Sequence, residues 1–443
     1  MNARNILGLI WSLIEAKPYR WLMLLFVMLE IGLITVYQNH FGWYWSPAIF
    51  TLSSLAIGII PLYISTRDKS LANSGAHLAG SANVRLILIA AVGLIGAFYT
   101  LSWMLPIWEA HPIKVSESDV IPSVQLFAQR LMGGADGLPV YAPYDGFGYR
   151  LDPTYLPFQW LPFVISEKLG VDPRWVPIGT WLIGQAFFLA YLVKRKLSIV
   201  WTLLIAALPF IILELINRAQ PNMLYQTIEL MDVGYYMFLG WSLLRGGLAA
   251  KGVGFILTLL SRFSHIFWAP FYFLGLFLTN QKAKSIKLGV MILLGIILVY
   301  IVPFLSQDWE SFTRGQGHYT RAALGAWSIS WDDSPIPSDL RHGAGLAIFF
   351  FQGDEVPLED QINTLRTLHL GFSIGMALLV GLGYLFYFKH RLQAEYYFLF
   401  GLKIYFAIFY GFIQVPYTYL YQVPVFLSLL VLVAAGGGRL LRK

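Results

Sequence analysis

The chain has 443 residues, of which 57% are hydrophobic and 12% charged, with a net charge of +7 and no cysteine. Its mean hydropathy of +0.62 is far above that of a soluble domain, so the basic balance belongs to cytoplasmic loops of a membrane protein rather than to a nucleic-acid surface. The missing cysteines exclude disulfides, thiolate metal sites and cysteine nucleophiles.

Roughly twenty apolar residues cross a bilayer as one helix. Such runs lie near 21–37, 46–64, 86–106, 174–193, 198–216, 223–244, 248–262, 264–280, 286–305, 365–388, 395–413 and 416–435. They predict an all-α, polytopic membrane protein with about 12 transmembrane helices. The first run has a basic start but no small-residue cleavage site after it, which predicts an uncleaved helix.

With a cytoplasmic N-terminus, the even connections carry Arg67, Lys69, Arg85, Lys194, Arg195, Lys196, Arg245, Lys251, Lys282, Lys284, Lys287, Lys389 and Arg391. The ends add Arg4, Lys17, Arg20, Arg439, Arg442 and Lys443, while Glu109, Glu117, Asp119, Asp136, Asp145 and Asp152 crowd one opposite loop and Asp308 to Asp360 another. This asymmetry satisfies the positive-inside rule and predicts both termini in the cytoplasm, with a bacterial inner membrane as the setting.

The runs 248–262 and 264–280 are short and meet at "SRFSH", which predicts Arg262 and His265 below the outer surface. No internal repeat of the kind that builds transporters from two related halves is present. The two long outer loops, 107–173 and 306–364, are rich in aromatics and prolines, which predicts an ordered, outward-facing layer carrying short interfacial helices. The chain divides into an N-terminal helix pair at 1–85, a central module at 86–305, and the second loop with the C-terminal helices at 306–443.

Within the first loop, Val120, Ile121, Val124, Phe127 and Leu131 recur at helical spacing, predicting an amphipathic helix on the membrane interface. Pro122 falls in its first turn and Asp119 at its N-cap. Asp119 therefore has two readings, a helix cap or a general base presented to a hydroxyl at the bilayer surface, and one does not forbid the other.

The pair Glu117-Ser118-Asp119, in an outer loop directly after an early helix, resembles the acidic motif of the GT-C class of membrane glycosyltransferases. "LPVYAPYDGFGYRLDPTYLPFQWLPFVI", "NRAQPNMLYQTI" and "GFILTLLSRFSHIFWAPFYF" are similar to segments of its polyprenol-phosphate-mannose-dependent branch, glycosyltransferase family 87, over roughly residues 86 to 305. The chain departs from that pattern in having two helices before the one that leads to the motif, and Arg-Ala-Gln where the branch has Gly-Gln. The resemblance implies a GT-C-like fold and transfer of a sugar, mannose by family, from a polyprenyl-phosphate donor to a lipid or glycan acceptor hydroxyl, with inversion.

In that reading Asp119 is the base, and Glu117, Arg218, Gln220, Asn222, Arg262, His265, His318 and Arg321 are donor- or acceptor-binding residues. Arginine suits a leaving phosphate because it can bind bidentately, although Arg262 could equally snorkel to headgroups and Arg218, Gln220 and Asn222 could form a plain polar turn. Glu229 and Asp232 are costly near a span unless paired, with Arg218 the candidate partner, or unless they line an acceptor site; Glu30 and Glu214 raise the same question. No cofactor or metal is required, since the lipid phosphate is already a competent leaving group once neutralised, and Asp332-Asp333 reads as a solvated pair. The partners are the donor, the acceptor and membrane lipids.

Zincin, P-loop and serine-elbow motifs are absent. The alternatives are a lipid or polysaccharide transporter or flippase, an O-antigen ligase- or polymerase-like enzyme, and a non-catalytic envelope scaffold. Clustering of the acids in outer loops, rather than along a path at mid-membrane depth, separates the enzyme readings from transport.

Overall fold

The computed structural model of the chain describes residues 18–35, 41–67, 82–134, 136–152, 154–195, 197–279 and 281–436. Arg4, Lys17, Lys69, Lys196, Arg439, Arg442 and Lys443 lie outside the described residues, as does the end of the first apolar run. The fold is 76% helix, with no strand among the described residues. A lipid interior offers no hydrogen bonds, so apolar segments satisfy their backbones internally by coiling.

The helices run in the order α1 (Pro18–Ile34), α2 (Trp45–Arg67), α3 (Ala82–Ala110), α4 (Val120–Leu131), α5 (Phe163–Leu169), α6 (Trp175–Val193), α7 (Ile199–Ala219) and α8 (Glu229–Arg245). There follow α9 (Leu248–Leu259), α10 (Ala269–Leu278), α11 (Lys282–Ile296), α12 (Glu310–Ser328), α13 (Leu358–Gly383), α14 (Ala394–Gly411) and α15 (Gln422–Gly436). The helices α1–α3, α6–α11 and α13–α15 fall on the apolar runs, and α4, α5 and α12 belong to the two long loops. Among the described residues, seven helices are long and apolar enough to cross a membrane: Trp45–Thr66, Asn83–Ala110, Trp175–Val193, Ile199–Ala219, Lys282–Ile301, Leu358–Phe388 and Thr418–Gly436. The chain is thus of the polytopic membrane class. The run at 223–244 is broken: Asn222–Tyr225 forms one short helical turn, and α8 begins only at Glu229.

Every residue of α15 is buried, and α1, α2, α7, α8 and α14 pack around it. Beside it α6 and α8 run in close contact because glycines face each other: a Cβ on Gly184 would stand 2.7 Å from the Cα of Gly234. At the periphery α3 and α11 turn Leu94, Ile95, Phe98, Leu293 and Leu294 outward. The N-terminal pair is part of the central bundle. Glu30 of α1 meets Lys403 of α14 at 2.5 Å, Ser428 of α15 donates to Glu30 at 2.6 Å, and Lys403 also donates to the Pro424 carbonyl at 3.0 Å.

The helix α4 forms where the periodicity places it, but its apolar face does not rest on lipid. Ile121, Val124 and Phe127 share a core with Trp160, Phe163, Met231, Tyr300 and Phe304. Its polar face is covered as well, since Gln125 and Gln129 donate to Glu167 of α5 at 2.8 and 3.1 Å. Apolar groups are left exposed at the C-terminal end of α4, Leu131 and Met132, and on α5 and the turn after it, Ile165, Leu169 and Val171. The amphipathic pattern is satisfied by protein, because the Pro-rich segment after Tyr155 folds back over α4.

The Glu30–Lys403 pair yields a test. Lys403→Ala strands a buried carboxylate, and thermal unfolding in detergent should show a loss of about 3–5 kcal/mol. The double replacement Glu30→Gln with Lys403→Met should recover most of that loss, since it removes both charges together.

Candidate active site

The first loop is held by buried arginines. Arg130 of α4 binds Asp136 at 2.6 Å and donates to the Ala142 carbonyl at 2.5 Å, anchoring the segment that follows. Arg174 pairs with Asp172 at 2.6 Å and donates to the carbonyls of Trp108 and His111 at 3.0 and 2.7 Å, satisfying the orphan C-terminal carbonyls of α3. Between these anchors, Tyr144 and Leu151 form an isolated antiparallel bridge, and Gly148, at φ +83°, turns the chain in a conformation that strains other residues. The turn brings Tyr149 to Asp119.

Asp119 sits at the N-cap of α4, yet its side chain makes no capping bond. The backbone carbonyl of Asp119 accepts from Ser123 at 2.9 Å, while the Tyr149 phenol donates to its carboxylate. Of the two readings, the side-chain cap is therefore not realised, and the carboxylate is aimed into the loop layer. Glu117 turns elsewhere: Gln226 donates to it at 3.3 Å, and it lines a groove of about 220 Å³ with Lys114 and the stacked rings of His111 and Tyr225. The two acids of the E-x-D motif face different spaces and do not form a shared carboxylate site.

The second loop closes over the first. Arg321 of α12 pairs with Asp152, which Arg150 also meets at 3.3 Å, and the Tyr319 hydroxyl donates to the Thr154 carbonyl at 3.4 Å. The two loops pack as one layer. Two guanidiniums on one carboxylate leave an excess positive charge, and both are more than half exposed, at 60% for Arg150 and 59% for Arg321. His318 feels the charges of Arg321, Asp152 and Asp119.

Tyrosines link Asp119 to the deeper charges. Tyr155, Tyr417 and Tyr419 lie within electrostatic reach of Asp119, and Tyr319 and Tyr419 within reach of Arg262. Burial, reinforced by the Asp119 carboxylate, pushes the Tyr149 phenol up, so it remains a donor at neutral pH. Burial pushes Tyr155 up as well, with Asp119 adding to it. Burial, then Arg321, lowers His318 below its ordinary 6.5, and Asp152 and Asp119 offset only part of that. Beside the tyrosines, a groove of about 340 Å³ runs between α12 and the end of the α11 span, lined by Tyr155, Phe263, Tyr300, Phe312, Gln316 and Tyr319.

Arg262 follows α9, and its guanidinium is claimed by Glu229 and, at 2.7 Å, by Asp232, both of α8 and both buried. These acids pair with Arg262 and not with Arg218. One cation between two carboxylates carries no spare positive charge for a phosphate, which corrects the expectation for Arg262. Arg218 is exposed and pairs with Glu214 one turn earlier, at 2.7 Å. His265 is fully buried, with Nδ1 2.8 Å from the Tyr236 hydroxyl and Nε2 3.2 Å from the Thr258 hydroxyl, so neither nitrogen faces a ligand. Gln220 and Asn222 shape the outer turn through their backbones: the Gln220 amide donates to Ile216 at 2.7 Å, and the Asn222 carbonyl accepts from Gln226 at 2.9 Å. Asp332 is taken up by Arg341 at 2.6 Å.

The structure therefore gathers Asp119, His318 and Arg321, reaches Arg262 through tyrosines, and separates Glu117, Arg218, Asn222 and His265 from that group. Tyr149, Arg150, Asp152, Tyr155 and Tyr419 are site residues that the sequence did not single out; the density of tyrosine in "YAPYDGFGYRLDPTY" and "YTYLY" was their signal. Comparison with protein-family models, curated proteins and solved structures finds no match.

The charge pairing gives a contrast to measure. Arg262→Met strands two buried carboxylates and should lower the melting temperature in detergent by several degrees, whereas Arg218→Gln, in an exposed pair, should leave it unchanged. Equal effects of the two changes would contradict the pairing described.

Proposed function

We propose that the chain is a GT-C-class membrane glycosyltransferase with about 12 transmembrane helices, similar to the polyprenol-phosphate-mannose-dependent branch. It moves a sugar, mannose by that resemblance, from a polyprenyl-phosphate donor to a lipid or glycan hydroxyl at the extracytoplasmic face. One observation carries the reading: the Asp119 carboxylate is free of helix capping and held by the Tyr149 phenol, with Tyr155, Tyr417 and Tyr419 within electrostatic reach.

In the proposed step, the acceptor hydroxyl replaces the Tyr149 phenol at Asp119 and gives up its proton to the carboxylate. Its oxygen bonds to the anomeric carbon, the bond from that carbon to the phosphate oxygen breaks, and the electron pair leaves with the polyprenyl phosphate, so configuration inverts. The excess positive charge of Arg150 and Arg321 around Asp152 suits the leaving phosphate, a role moved here from Arg262. The aromatic groove beside Tyr155 and Tyr319 suits the sugar and the first isoprenoid units. Against transport, the Glu30–Lys403 pair is sealed, with both side chains 0% exposed, and forms no part of an open path.

The decisive measurement is transfer of labelled mannose from polyprenyl-phosphate-mannose in membranes holding wild type or Asp119→Asn at matched expression. A drop of at least about a hundredfold is expected, the low end of a general base's contribution. Undiminished transfer by the variant would defeat the mechanism, and transfer only from a lipid-pyrophosphate oligosaccharide would point to a ligase- or polymerase-like enzyme.

The pH profile is a second check. His318 is neutral at pH 7 because its folded pKa lies below 6.5, and it gains a charge beside Asp119 only as pH falls through that lowered value. Transfer should fall on the acid side with a midpoint below 6.5, and Arg321→Gln should move the midpoint upward by removing a cation that holds His318 down.

A further inference from the structure

At the end of the bundle opposite Asp119, four arginines gather that form no salt bridge among the described residues. Arg195, directly after α6, is 2% exposed; it donates to the Ala434 carbonyl and to the Tyr396 hydroxyl, each at 2.8 Å. Arg85 of α3, 6% exposed, donates to the carbonyl of Arg195 and, at 2.7 Å, to that of Leu197. Arg20 of α1 donates to the Gly436 carbonyl at the end of α15 and is close enough to Arg195 for their charges to repel. Arg245, at the end of α8 and exposed, lies 5.8 Å from the centre of the Tyr191 ring, and Arg195 lies 5.1 Å from that same ring. Four guanidiniums from four separate segments thus meet around Tyr191 and the end of α15.

Their protein partners do not balance them. Among the described residues no carboxylate forms a salt bridge with Arg20, Arg85, Arg195 or Arg245; elsewhere in the bundle Glu30, Glu229 and Asp232 all meet cations. Carbonyl oxygens and aromatic rings supply partial charges only, and helix C-terminal ends account for fractions of a charge. The Nε groups of Arg195 and Arg20 are buried and meet no hydrogen-bond partner among the described residues. Buried N–H donors left unmet, together with mutually repelling charges, are costly unless an anion completes the group. A phosphate oxygen is the acceptor that guanidinium geometry matches, and basic pockets between membrane helices are where anionic headgroups bind.

We propose that the Arg20–Arg85–Arg195–Arg245 cluster is a binding site for a phosphate, supplied by the headgroup of an anionic phospholipid in the leaflet opposite the Asp119 face. Arg85 and Arg195 form its buried floor, and the exposed Arg245 meets the incoming phosphate. The arginines and the groups they meet come from or directly follow five helices, so lipid occupancy ties α1, α3, α6, α8 and α15 together at that end. This inference stands independently of the proposed sugar transfer.

The experiment uses the full chain, delipidated in a neutral detergent, with thermal unfolding followed as phosphatidylglycerol, phosphatidylcholine or inorganic phosphate is added. Phosphatidylglycerol should raise the melting temperature, phosphatidylcholine should not, and added salt should weaken the effect. Arg245→Gln, a surface change that leaves the buried network intact, should weaken the apparent affinity for phosphatidylglycerol by about tenfold. Arg195→Gln should abolish the response if it folds; where it does not, native mass spectrometry of phosphatidylglycerol retained by wild type and by Arg245→Gln decides. Equal stabilisation by both lipids, or no difference between wild type and Arg245→Gln, would overturn the site. A response to inorganic phosphate as strong as to the lipid would overturn the lipid as its source.

Discussion

A buried charge must meet its opposite at hydrogen-bond distance, and in this chain that requirement decides which distant segments come together. Glu30 is removed from solvent by α1, and it reaches Lys403 across 373 positions of sequence. Glu229 and Asp232 are withdrawn by α8, and only Arg262, at the end of the short helix α9, is placed to meet them. Each pair fixes a crossing that apolar packing alone would leave free to slide, because lipid tails and leucine side chains are equally good solvents for one another.

The same rule explains how the outer layer acquires chemistry. Arg130 and Arg174 are buried under the first loop; Arg130 spends its donors on Asp136 and loop carbonyls, and Arg174 on Asp172 and carbonyls at the end of α3. With the loop held this way, Asp119 is left without a charge partner and has only a phenol to hold it. Farther along the same loop the ratio is reversed, with Asp152 shared by Arg150 and by Arg321 of the second loop. A spare negative group and a spare positive group where the two loops meet are what separation of an acceptor proton from a leaving phosphate would require.

The two faces of the bundle differ in how charge is settled. Toward Asp119, the buried arginines Arg130, Arg174 and Arg262 each meet acids, and the doubly paired Asp152 stands out as a local imbalance. At the other end, Arg20, Arg85, Arg195 and Arg245 form no salt bridge with a carboxylate among the described residues, and carbonyls and aromatic rings take their place.

The sequence by itself determined the class and the helices. Apolar runs of bilayer length require helices in lipid whatever surrounds them, and α1–α3, α6–α11 and α13–α15 appear on those runs because hydropathy and backbone satisfaction are local properties. The periodicity of Val120 to Leu131 likewise gave α4, and the short pair around "SRFSH" gave α9 and α10. Only the tertiary structure decided partners. Nothing local distinguishes Arg218 from Arg262 as the mate of Glu229 and Asp232, nor shows that α4 is roofed by protein rather than lipid, that His265 spends both nitrogens on Tyr236 and Thr258, or that Glu117 and Asp119, two residues apart, look into different spaces. Those outcomes depend on which segments fold back over which, and pairing across long stretches of chain is set by packing of the whole rather than by any neighbourhood of residues.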